Sequence, residues 1–116
     1  MFDVQFYTLP DGRCPVKEFL KELSPKMRAK ALSSIQLLEE YGNTLREPYS
    51  KHLGDGLMEL RIKFSSDIAR IFYFFVVGNQ IILTNGFIKK TRKTPKEQIE
   101  LARKYKHEYE RSVSYE

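Results

Sequence analysis

Apolar residues fall along the chain in two periods, and the switches between them mark the elements. Phe2, Val4 and Phe6 alternate with Asp3 and Gln5, the pattern of a half-buried strand, and Pro10-Asp11-Gly12 breaks it. Pro15 suits the first position of a short helix, in which Val16, Phe19, Leu20 and Leu23 recur every three or four residues. Ser24-Pro25 then caps and opens a second helix with Met27, Ala31, Ile35 and Leu38 as its buried stripe, closed by Gly42. The two helices form a hairpin lying on the sheet.

From Thr44 to Gly56 no period is visible, and the stretch reads as a loop containing Lys51 and His52. Alternation returns in Leu57–Phe64, with Met58, Leu60, Ile62 and Phe64 on one face and Glu59, Arg61 and Lys63 on the other. Ile68–Val77 is rich in β-branched and aromatic residues, and Gly78-Asn79 makes a tight turn into Gln80–Ile88. Thr94-Pro95-Lys96-Glu97 is a capping box with proline at the first helical position. The helix that follows carries Ile99, Ala102, Tyr105 and Tyr109 along one side. This order predicts one α+β domain over residues 1–116: β-α-α-β-β-β-α, an antiparallel sheet with helices on one side.

Composition narrows the class. The chain is 116 residues long, 41% hydrophobic and 30% charged, as expected of one soluble domain. Its apolar runs are too short for a membrane span, and the N-terminus lacks the features of a secretion signal. The lone Cys14 cannot form an internal disulfide, and no metal-ligand cluster accompanies it, so the expectation is a cytoplasmic protein without a cofactor. The net charge of +5 is unevenly placed: residues 1–47 hold seven cations and seven acids, residues 48–116 thirteen and eight. Such clustering points to a polyanionic partner, although a solvated basic surface has the same signature.

Strand parity concentrates that charge. If Met58, Leu60 and Ile62 face the helical hairpin, Arg61 faces away, and Arg70 follows if the charged row of its strand lies on the open side. Adjacent arginines repel, and an anion between them relieves the repulsion; the planar guanidinium suits a phosphate. The plainer alternative pairs each arginine with a nearby acid such as Glu59 or Asp67. Lys89, Lys90, Arg92 and Lys93 lead from the last strand into a helix N-terminus, itself favourable to anions. Phe72 and Phe74, on the Arg70 row, either offer stacking surfaces to unpaired bases or form an apolar patch that a partner protein covers.

Three stretches carry a family resemblance: Met58-Glu-Leu-Arg-Ile62, Ala69-Arg-Ile-Phe-Tyr73, and Asn85-Gly-Phe-Ile-Lys-Lys-Thr-Arg-Lys-Thr-Pro95. With the helical hairpin and element order, the chain resembles the phage-derived HigB-like branch of the RelE/ParE toxin superfamily. The resemblance implies a RelE-like fold and a type II toxin inhibited by a helix-turn-helix (HigA-like) antitoxin in a hetero-oligomer. It also implies a metal-independent endoribonuclease that cuts mRNA on the ribosome and so inhibits translation. ParE-like relatives poison DNA gyrase instead, and a binding module that has lost catalysis is a third reading. Many members carry histidine where this chain has Asn85, so no acid–base role is carried over to that position.

Cleavage by RNA's own 2′-hydroxyl needs the attacking oxygen aligned, its proton removed and the new negative charge stabilised. Arg61 and Arg70 are the expected phosphate holders, and Lys89 or Lys90 the expected proton acceptor, with Lys90 preferred. His52 is a further catalytic candidate, and His107 reads as a solvent-facing residue. Lys51, Lys63, Arg92 and Lys93 are expected to grip flanking RNA or ribosomal RNA. Tyr73 reads as core by its strand parity.

Overall fold

A computed structural model of the chain describes residues 1–89 and 94–113. In chain order these are β1 (Asp3–Phe6), α1 (Pro15–Glu22), α2 (Pro25–Tyr41), a 3-10 turn (Gly42–Thr44), β2 (Ser50–Gly54), β3 (Leu57–Phe64), β4 (Asp67–Val76), β5 (Gln80–Lys89) and α3 (Lys96–Val113). The expected stretch of loop from Thr44 to Gly56 thus contains a strand. Of the five β2 residues only Ser50 is buried, which is why no alternation announces it; pairing with β3 holds it in place.

The sheet order is β1-β5-β4-β3-β2. It is mixed rather than antiparallel, because β1 runs parallel to β5 while the other neighbours are antiparallel. The helical hairpin carries the chain from β1 across the sheet to β2 at the opposite edge, and the β2–β5 meander then returns beside β1.

Local signals set the hairpin. Pro15 stands in the first turn of α1, and Ser24 accepts a hydrogen bond from the backbone N–H of Met27 at the start of α2. Arg28 then bends back to donate to the carbonyls of Leu20, Lys21 and Leu23, satisfying the end of α1. The stripe Val16, Leu20, Met27, Ala31, Ile35 and Leu38 packs on Leu60, Ile62, Ile71, Tyr73, Ile81 and Leu83, the main core. Gly42 has φ +50 and lies against Phe2, whose ring atoms would come within 2.1 Å of any Cβ there. A left-handed glycine therefore both ends α2 and seats the first strand.

The helices do not all lie on one side. α3 crosses the face opposite the hairpin, where Leu57, Phe72 and Phe87 pack under Ala102 and Ile99, and Phe74 and Ile82 pack under Tyr105 and Tyr109. β4 already carries the reason: apolar residues fill both of its rows, as in a strand covered on both faces. Phe72 is 0% exposed and Phe74 1%, so neither is open to stack on bases as expected; they belong to two apolar clusters beneath α3. Burial of each contributes about 1.5–3 kcal/mol. No helix among the described residues is long and apolar enough to cross a membrane.

Candidate functional site: a cationic sheet face around a buried ion pair

The register puts Arg61 of β3 directly opposite Arg70 of β4. Lys51 of β2 pairs with Glu59, and Lys89 of β5 pairs with Ile68, next to Lys63, so these residues share the arginines' face. Lys51, Arg61, Lys63, Arg70 and Lys89 thus share one face of the sheet with Glu59, whose carboxylate lies beside Thr94 on the approach to α3.

Glu59 and Arg70 are the buried centre, 1% and 5% exposed. Arg70 Nε and Glu59 Oε1 are in direct ionic contact, off the angle of a hydrogen bond. Glu59 Oε2 accepts from the hydroxyl of Thr94 at 3.3 Å. Thr94, expected as a helix cap, therefore ties the approach to α3 to the ion pair. Burial holds the Arg70 guanidinium below its ordinary pKa; Glu59 opposes that and Arg61 reinforces it. For Arg70 the plainer alternative is what the structure shows: it has an acidic partner, Glu59.

Arg61 differs. Its guanidinium is part-exposed, and its one acidic partner among the described residues is Glu47 Oε1, 3.8 Å away on a mostly exposed side chain. An exposed pair at that distance is weak. Its Nε is buried and has no hydrogen-bond partner among the described residues. Lys89 has its pKa lowered, first by desolvation and then by Arg70, Arg61 and Lys51, with Glu59 partly opposing. A lysine so placed loses its proton more readily than one in water.

Other expected site residues fall elsewhere. His52 pairs with Met58, whose side chain joins the main core, so its parity puts it on the hairpin side of the sheet, away from Arg61 and Arg70. Tyr73 is 0% exposed and its hydroxyl bonds Ser50 Oγ, in keeping with a core role. Lys90, Arg92 and Lys93 lie outside the described residues. Among the described residues no group of three His, Cys, Asp or Glu side chains is placed to hold a metal ion.

Asn85 stands where β5 shifts register against β4. Its side-chain oxygen accepts from Thr84 Oγ1 at 2.8 Å, and its amide donates toward Gln98 Oε1 at 3.4 Å. Here the residue fastens the sheet to α3. Gly86 beside it permits the close approach of α1: a Cβ would lie 2.5 Å from a Phe19 ring carbon and 3.0 Å from the Arg70 carbonyl.

In the sequence Glu59 reads only as a charge partner, although its parity with Arg61 puts both on the same face. A second part of the site carried no sequence signal. Beyond Leu60, β3 has no ladder partner on its β2 side among the described residues, and the backbone N–H of Arg61 donates to Tyr49 O at 2.8 Å. A cleft of about 450 Å3 lies along this edge, between α2 and the cationic strands, with Arg61 and Arg70 in its wall.

The profile of the phage-derived protein Gp49-like family matches residues 18–107, from α1 into α3. No curated protein matches the chain. The matched span includes the cationic face, the Glu59–Arg70 pair and the cleft. The chain belongs to the phage-derived Gp49-like family, a family of RelE-like toxins of toxin–antitoxin systems.

Proposed function

We propose that the chain is a HigB-like toxin of a type II toxin–antitoxin system that cuts mRNA on the translating ribosome. One observation carries this reading: Arg61, Arg70, Lys51, Lys63 and Lys89 share one face of the sheet with the buried carboxylate of Glu59. That arrangement favours a phosphodiester and the charge that grows on it during cleavage.

In the proposed reaction the RNA 2′-oxygen attacks phosphorus and the bond from phosphorus to the 5′-oxygen breaks. The products are a 2′,3′-cyclic phosphate and a 5′-hydroxyl. Lys89, in its neutral form, takes the 2′-hydroxyl proton, and the departing oxygen takes one from solvent. Arg61 meets the phosphate, while Arg70, held by Glu59, adds fixed positive potential beneath it. Lys51 and Lys63 grip flanking RNA. The chemistry asks no metal ion of the protein. The site works in the cytoplasm on ribosome-bound message, and a helix-turn-helix, HigA-like antitoxin restrains it.

The test is induction in cells with mapping of message ends. Growth arrest and cuts within translated codons are expected, and both should fall in Arg61→Ala and Lys89→Ala. Undiminished cleavage in both variants refutes the site. DNA breaks with intact messages would point to gyrase instead.

A further inference from the structure

The cleft along the β3 edge has a chemical composition of its own. Lys30 from α2 joins Arg61, Lys63 and Arg70 around it, and neither Lys30 nor Lys63 has an acidic partner among the described residues. The rest of the wall is largely apolar, with Leu37 on the α2 side and Pro48 and Tyr49 on the segment before β2. Tyr49 is 51% exposed, an aromatic face open to a ligand. The volume, about 450 Å3, lies within the usual range of small-molecule sites, about 300–1,000 Å3.

We infer that this cleft is a nucleotide subsite for the RNA strand, next to the phosphate that is cut. The inference rests on the nuclease reading for its choice of RNA. Cations on one side and an aromatic and aliphatic wall on the other match a nucleotide, which joins an anionic phosphate to a planar base. Arg61 and Arg70 line the cleft and also belong to the cationic face, so one strand can run from one to the other. Tyr49 stacks on the base, the role that buried Phe72 and Phe74 cannot take. Lys30 neutralises the next phosphate along the strand. The subsite thus uses α2 and the loop before β2 as parts of the RNA path.

The test uses the full chain, isotope-labelled for NMR, with a 2′-O-methyl trinucleotide that cannot be cut. Backbone signals of Ser33, Ser34 and Tyr49 should move with the trinucleotide and much less with inorganic phosphate at equal concentration. Tyr49→Ala should weaken trinucleotide binding about tenfold, as loss of one stacked base does, while Tyr49→Phe keeps it. Lys30→Gln should lower the salt dependence by about one phosphate contact. The Tyr49 ring is half exposed, so these variants should keep the wild-type circular dichroism. Shifts confined to Lys51 and Lys89 overturn the subsite and leave the nuclease reading standing; so does equal response to phosphate alone. Trinucleotide binding in the cleft without message cleavage in a translation reaction supports the subsite and refutes the nuclease reading.

Discussion

Replacing Glu59 with glutamine should unfold the protein at markedly lower denaturant, because it leaves Arg70 buried without its counter-charge. The side chains are 2% and 6% exposed, so water is poorly placed to compensate. Arg61 stands directly opposite and adds like-charge repulsion that Glu59 now offsets. Breaking a buried pair by removing one partner costs about 3–5 kcal/mol. In urea, where small domains lose about 1–3 kcal/mol per molar, that is a midpoint shift of roughly 1–5 M. The assay is urea unfolding followed by tyrosine fluorescence and circular dichroism, since the chain has seven tyrosines and no tryptophan. The midpoint should fall with an unchanged slope. A control separates charge from packing: Glu59→Leu with Arg70→Met removes both charges and should recover most of the loss. A loss below about 1 kcal/mol for Glu59→Gln, or a double variant no more stable than the single, refutes the structural role given to the pair. Arg70→Ala is for the same reason a poor test of catalysis, since it orphans a buried carboxylate and removes folded protein together with activity.

Other expectations follow from neighbouring geometry. Gly86→Ala should destabilise by about 1–3 kcal/mol through overpacking against Phe19 and the Arg70 carbonyl, and Phe19→Leu should relieve part of it in thermal melts. Tyr73→Phe should cost about 1–2 kcal/mol by leaving Ser50 Oγ without its buried partner, with cleavage by the remaining folded protein unchanged; a selective loss of rate would give Tyr73 a catalytic role. If Lys89 accepts the proton, cleavage should rise with pH through an apparent pKa below the ordinary lysine value of about 10.4, because only the neutral amine is active. Lys89→Arg should abolish that alkaline rise, and a profile the same in both proteins would contradict the assignment.

Much of the fold was legible because its signals are local. Alternation at Phe2, Val4 and Phe6 and the cap at Ser24-Pro25 each need only a few adjacent residues, and the structure has a strand and a helix start there. β2 was hidden because its mostly exposed residues depend on β3 for their conformation. The face taken by α3 is also a tertiary outcome, although the doubly apolar rows of β4 carried the hint. At the site, parity was enough to place Arg61 and Arg70 together. It could not place Tyr49 and Lys30 beside them, since that contact depends on how the segment before β2 folds back along β3.

In vitro translation of a defined message with the purified chain, followed by mapping of the cut ends, decides whether the chain is a ribosome-dependent nuclease. Cuts are expected inside translated codons, leaving 2′,3′-cyclic phosphate and 5′-hydroxyl ends, and should fall about a hundredfold or more in Arg61→Ala, the usual scale of electrostatic catalysis. An intact message, or cutting undiminished in Arg61→Ala and Lys89→Ala, would contradict the proposal.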